Sequence, residues 1–250
     1  MANRKVLRVL VLLTIPMLFV FGKLGGPISL KTLVNKIEEP KTEPKPIGPE
    51  LKNYAATLSC IAAQRKILHT DLQNAAQKSK ALEKASTLWT SYMVDSIFPY
   101  WYGTEWDFNG HTDIPRKGQI ACGYFVSTTL KHSGVKLDRY KLARMAASDI
   151  IDRVCEKGSA KWFRSIKSLQ THLKAKGAGL YVLGLDYHVG FVLREKGKDY
   201  FIHSDYFNDK VTKELLSAST AANSTGRYYV GSLSGNEALV KGWLNGNKLL

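Results

Sequence analysis

Three short apolar runs stand in close succession in the second half of the chain, Gly179 to Leu185, His188 to Arg194 and Tyr200 to Asp205. Their β-branched and aromatic content predicts strands, and the EKGKD stretch between the last two predicts a hairpin turn. A fourth run, GRYYVGSL, predicts another strand. Strands that follow one another in this way form an antiparallel meander. The helical patterns come mostly before them, so the chain reads as α+β and not as a doubly wound α/β fold.

Those helical patterns start early. From Leu51 to Ile97 there is no Pro or Gly, and apolar residues recur at Tyr54, Leu58, Ile61, Leu68, Leu72, Leu88, Tyr92 and Met93. This spacing predicts one long helix, or two broken near His69-Thr70-Asp71 with Thr70 as a cap, and Pro99 ends the pattern. Further helices are predicted over Cys122 to His132, Asp138 to Lys157 and Ser165 to Lys176. Ser234 and Glu237 have capping-box spacing for a last one.

The first 22 residues are of another kind. A basic start, MANRK with Arg8, leads into the uncharged apolar stretch Val9 to Phe21. Its length suits a signal-peptide core, or a short membrane anchor if the flanks are added. Export follows from either reading, and the sequence leaves the two open. Residues 23–50 hold five of the eight prolines among alternating charges, the composition of an extended linker. The expected organisation is therefore 1–22 signal or anchor, 23–50 linker, 51–98 helical segment and 99–250 catalytic domain. The protein is expected at the cell envelope, either membrane-anchored or released.

The formal net charge is +15 over 250 residues. Such a balance favours anionic partners. The lysines are dispersed and carry no RNA-binding aromatic signature, so acidic envelope polymers or a membrane surface rank above nucleic acid. The oligomeric state is left open.

Of the three cysteines, Cys60, Cys122 and Cys155, at least one must be unpaired. Cys122 follows the turn RKGQI and opens a predicted helix, where free amides and the helix dipole stabilise a thiolate. A nucleophile also needs a base and a group to orient that base. His188, at the start of a strand, is the candidate base. If Glu195 and Lys198 close the hairpin around Lys196-Gly197, His188 lies opposite Asp205 and His203 opposite Gly190. All three polar side chains then share one face, and a slip of one residue would separate them. Either His203 or Asp205 would orient His188. Gln119, three residues before Cys122, is a candidate donor to a developing oxyanion beside the Cys122 N–H, or else a surface turn residue. Tyr102, Trp106 and Tyr187 are candidates to line a substrate groove. Taken singly, a cysteine or histidine in such a setting is more often a packing residue; it is the order of the three that points to catalysis.

The segments YGTEWDFNG, IPRKGQIACGYFV, HVGFV and FIHSD, in that order, resemble the NlpC-type cell-wall peptidases of the papain-like cysteine peptidase group. The resemblance spans roughly residues 100–206. It implies a papain-like core with Cys122 as nucleophile, His188 as base and His203 as orienter, acting on an amide bond of peptidoglycan stem peptides without metal or organic cofactor. Ala121 stands where that family usually has Asp, and Gly123-Tyr124 replace Ser-Gly. These departures bear on the substrate more than on the nucleophile, and an amide or ester acyltransferase is an alternative within the enzyme reading. Outside it, the alternative is a membrane-tethered scaffold with a non-catalytic core.

Overall fold

The computed structural model describes residues 49–249, which belong to one compact unit. The expected export segment and most of the linker lie outside the described residues. Among the described residues no helix is long and apolar enough to cross a membrane.

Two helices open the described chain, α1 (Tyr54–Asn74) and α2 (Lys78–Ser91). Their buried residues follow helical spacing, Tyr54, Ile61 and Leu68 on the first and Leu82, Ala85 and Trp89 on the second. The break falls at residues 75–77 and not at the expected His69-Thr70-Asp71. The Thr70 hydroxyl donates back to the Lys66 carbonyl inside α1, so Thr70 is no cap. Nor does Pro99 end the helical path. A π-helical turn, Tyr92–Ile97, leads into the short helix α3 (Phe98–Trp101). Pro99 lies in the first turn of α3, where its missing N–H leaves no bond unmade.

Next come α4 (Cys122–His132), α5 (Arg139–Ala143) and α6 (Ala147–Val154). The single helix expected over Asp138 to Lys157 is thus two. Asp138 caps α5 by accepting from the Tyr140 and Lys141 amides, and the chain turns at Arg144–Ala146 without glycine or proline. Strand β1 (Lys161–Phe163) and helix α7 (Ile166–Lys176), capped by Ser165, precede the main sheet strands.

The sheet has six strands in the order β1-β6-β2-β3-β4-β5, with every named pairing antiparallel. Here β2 is Gly179–Gly184, β3 Val189–Glu195, β4 Lys198–Asp205, β5 Lys210–Leu215 and β6 Tyr228–Ser232. A short helix, α8 (Thr220–Asn223), joins β5 to β6, and α9 (Glu237–Asn245) closes the chain. The α9 cap is Asn236, not Ser234: the Asn236 side chain accepts from the Leu239 amide, while the Ser234 hydroxyl accepts from Leu180 on β2.

Both faces of the sheet are covered. On one face Val182, Phe191 and Ile202 pack with Phe125, Val126 and Leu130 of α4 and with the buried stripes of α1 and α2. On the other, Leu183, Val192 and Phe201 pack with Leu169 and Leu173 of α7. This explains why β2 reads as a continuous apolar run and not as alternation. The helical segment shares the main core, and its aromatic N–H and O–H groups are partnered. Trp89 Nε1 donates to the Ser133 hydroxyl (3.0 Å), Trp101 Nε1 donates to the Tyr54 hydroxyl (2.9 Å), and that hydroxyl lies 2.8 Å from His132 Nδ1.

The β3–β4 hairpin has the expected two-residue turn. Lys196 and Gly197 both take positive φ (50° and 77°), and Glu195 pairs with Lys198. That is a type I′ geometry, whose twist matches the strands it joins. It sets the register Arg194 to Asp199 through Phe191 to Ile202.

Candidate active site

Cys122 is the first residue of α4. Ala121 before it is extended (φ −81°, ψ 161°) and makes no side-chain cap, so the first amides of the helix are left available. The preceding loop is pinned to the sheet. Ala121 N–H donates to the Gly110 carbonyl (2.8 Å), Ile120 N–H donates to the Glu105 carbonyl (2.9 Å), and the Ser204 hydroxyl donates to the Ile120 carbonyl (2.6 Å). Ser204 adjoins His203 on β4, so a single bond ties the cysteine's loop to the strand carrying the candidate orienter.

His188 closes the β2–β3 turn, with Leu185 N–H donating to its carbonyl (2.8 Å) and Asp186-Tyr187 exposed at the tip. Its ring is buried, and Nε2 lies 2.8 Å from His203 Nδ1. His203, fully buried and stacked on Phe201 (4.0 Å, 17°), places Nε2 3.1 Å from Glu214 Oε1. Gly190 makes room for this pair, since a Cβ there would stand 2.7 Å from His203 Cβ.

The chain of contacts constrains the protons. His203 holds the Glu214 carboxyl below its usual range, and a carboxylate can only accept. His203 Nε2–H therefore donates to Glu214. With the His203 proton on Nε2, its Nδ1 is left to accept from His188 Nε2–H, which leaves His188 Nδ1 as the free base. Burial first, and the neighbouring His203 second, push His188 well below the usual histidine range, so it rests neutral.

At Cys122 burial works against the expected thiolate. Burial raises its thiol above the ordinary value, against the backbone amides of Val189, Gly123 and Cys122 itself, which act as donors and pull it down. The helix terminus is present, but its effect is outweighed by desolvation. Burial thus favours the uncharged form of both groups. All three cysteines are free, with Cys60 exposed, Cys122 half-buried and Cys155 buried.

Cys122 and His188 line one cavity of about 350 Å³, together with Met145, Trp162, Tyr187 and Arg227. The α5–α6 break forms one of its walls, which is where the undivided predicted helix would have run. Tyr187 also lines it, with its side chain almost wholly exposed.

The remaining sequence candidates are placed less directly. Asp205 lies beside His203 and Glu214, with its carboxylate within 4.8 Å of a ring nitrogen of the one and a carboxylate oxygen of the other, but its hydrogen bonds go to the Phe207 amide (2.9 Å) and the Asn208 side chain (2.5 Å) of the turn after β4. Gln119 is exposed and lines a separate cavity with His111, Arg139 and Tyr140, so it does not face the sulfur. Tyr102 is half-buried against the main core, where burial raises its hydroxyl above the ordinary range and the Glu195 carboxylate adds to the rise. Glu195 ends β3 at the far side from His188, about 20 Å along the strand. Trp106 approaches His188 only through Tyr206, which is 6.1 Å from Trp106 and 5.2 Å from His188 between ring centres.

Two residues that the sequence reading passed over belong here. Tyr206 stands against His188, and Cys122 is among the groups that raise its hydroxyl after burial and Asp205. Glu214 lies on β5, two positions beyond the partner of His203, Thr212, and so on the same face. The alternation in KVTKEL was the available signal, and its charges disguised an edge strand.

Glu214 bonds to His203, so on a catalytic reading of the site its replacement tests the proton arrangement. Glu214→Gln should lower kcat/KM by about 10- to 100-fold, the usual scale for a partner that orients a functional histidine. The amide can donate as well as accept, so the pH–rate profile should shift, whereas a packing defect would lower the rate at all pH values alike. An unchanged rate and profile would remove Glu214 from the chain.

No family model matches the chain, and no curated protein matches it. Two solved structures are similar in a loose way. One is a Legionella pneumophila protein described by the family model DUF1460, at 10% identity and a TM-score of 0.38 over 72% of this chain and 97% of that one. The other is an N-acetylmuramoyl-L-alanine amidase from Bacteroides uniformis, at 10% identity and a TM-score of 0.32 over 60% of this chain and 99% of that one. Superpositions this loose leave function to be argued from the site.

Proposed function

We propose that the protein is an exported cysteine hydrolase, with a divergent NlpC-type, papain-like core, that cleaves an amide bond in peptidoglycan stem peptides. The observation that carries this reading is the His188–His203 hydrogen bond at the wall of a cavity that Cys122 also lines.

In the reaction, Cys122 Sγ attacks the amide carbonyl while its proton passes to His188 Nδ1. Burial favours the protonated thiol, so transfer and attack are coupled, as in hydroxyl nucleophiles. The carbonyl oxygen becomes an oxyanion next to the amides at the start of α4. The His188 imidazolium, held through His203 and Glu214, then gives its proton to the leaving amine, and a thioester remains. Water, deprotonated by His188, attacks the thioester, releases the acid and restores the thiol. The excess basic charge retains the enzyme near anionic envelope polymers, an attraction that salt weakens.

Incubating the full chain with purified peptidoglycan in ¹⁸O-labelled water tests the proposal. Mass spectrometry should find new amine ends and ¹⁸O in the matching new carboxyl ends. Adducts to an added amine in place of ¹⁸O would identify acyl transfer. No new ends would refute hydrolysis and favour the scaffold reading.

A further inference from the structure

His188 is 3% exposed, although it follows an exposed turn and lines a cavity. What covers it is aromatic. The Phe201 ring on β4 meets the imidazole edge-on (5.9 Å between centres, 83°), and the Tyr206 ring does so from the turn after β4 (5.2 Å, 67°). Phe201 is fully buried and forms the inner side. Tyr206 is only half-buried, so its ring is the one that stands between the imidazole and solvent.

The Tyr206 ring is held from several directions. Phe207 packs on it at 4.5 Å and Trp106 at 6.1 Å between ring centres. The buried Asp205 carboxylate fixes the turn by accepting from the Phe207 amide and the Asn208 side chain. The Trp106 amide donates to the Asp209 carbonyl (2.9 Å) and ties the turn to the loop before α4. None of these contacts uses the Tyr206 hydroxyl.

We propose that Tyr206 is a positioning residue for His188: its ring covers the imidazole, keeps water from the His188–His203 hydrogen bond and so fixes the base in one orientation. An edge-on ring displaces the water that would solvate an imidazolium, and a hydrogen bond shielded in this way is stronger than one open to solvent. Burial is also the first cause of the depressed His188 titration, ahead of the neighbouring His203. The other charged or titratable groups nearby, Cys122 on α4, Asp186 and Arg227 along the cavity, and Asp205 and Glu214 beside His203, leave burial in first place. For the reaction rate this role rests on the hydrolase reading; for the state of His188 it does not.

The test reads His188 directly. The full chain carrying Cys122→Ala is labelled at its histidines and titrated by NMR, with the His188 signal assigned by its loss in His188→Gln. With Tyr206 present the signal should stay that of a neutral ring until the pH is well below the ordinary histidine range. Tyr206→Ala should raise the midpoint by about one pH unit or more, because water then reaches the charged form. Tyr206→Phe keeps the ring and should leave the midpoint where it was. In protein that retains Cys122, Tyr206→Ala should move the acid limb of kcat/KM to higher pH, since His188 must be unprotonated to take the thiol proton. A packing defect alone would lower the rate equally across that limb. If Tyr206→Ala does not fold, Trp106→Ala, which withdraws the support behind the ring, should give a smaller shift of the same sign. An unmoved midpoint in the folded variant, or an equal shift in Tyr206→Phe, would overturn the assignment. A shifted midpoint in a protein that hydrolyses nothing ends the hydrolase reading and leaves the cover standing. Hydrolysis with an unmoved midpoint gives the reverse.

Discussion

Cys122→Ala should lower kcat/KM for amide hydrolysis by about 10⁴-fold or more, since removing the nucleophile disables every step that depends on the thioester. The fold should persist, because the side chain is half-buried and alanine keeps the helix start. His188 and His203 remain in place in this variant, so the loss reports the sulfur and not a collapsed site. The raised thiol adds a second reading. With its titration moved above the ordinary range, the thiolate fraction at neutral pH is smaller than for a free cysteine and grows as pH rises. Alkylation of Cys122 in the wild type should therefore be slow near pH 6 and keep climbing as pH rises above the ordinary thiol range. Full hydrolysis by Cys122→Ala would end the cysteine mechanism. Rapid Cys122 labelling at pH 6 would instead show a preformed thiolate.

Trp89→Ala should produce the largest loss of stability among the substitutions considered. Trp89 is fully buried in the main core and bonded to the Ser133 hydroxyl at the end of α4. Removing a buried Trp side chain costs about 3–5 kcal/mol, a large share of the roughly 5–15 kcal/mol that holds a domain folded. For a chain of this size the melting temperature should fall by on the order of 10 °C. Denaturant titration would check it through the midpoint and the slope together. A loss below about 1 kcal/mol would mean that the helical segment contributes little to the core, since ordinary surface changes are of about that size or less. A single transition, lowered as a whole, is expected because α2 shares its core with α4 and the sheet.

How far the site could be read in advance differs from element to element. The hairpin from Glu195 to Lys198 was legible because a Lys-Gly pair at a two-residue turn admits positive φ at both positions, and that turn sets the register of every pair behind it. The common face of His188 and His203 followed from it. The start of α4 at Cys122 was legible from the switch in periodicity after a glycine turn. Asp205 was on the predicted face too, but a local turn claimed its carboxylate, and nothing in the spacing distinguished that outcome. Gln119 was close to Cys122 in sequence, yet the loop's bonds to Gly110 and Glu105 turn it into a different cavity.

By itself, then, the sequence determined the α+β class, the antiparallel meander and the residues able to share a face, because these depend on periodicity and turn chemistry acting over a few positions. The tertiary structure decided the rest. It brought Glu214 behind His203, set Tyr206 against His188, broke the helix before Ala147 to open a cavity, and raised the Cys122 thiol by burying it. Each of these depends on what surrounds a group in space: local pattern sets which way a side chain leaves the backbone, while the solvent and charge it meets come from segments distant along the chain.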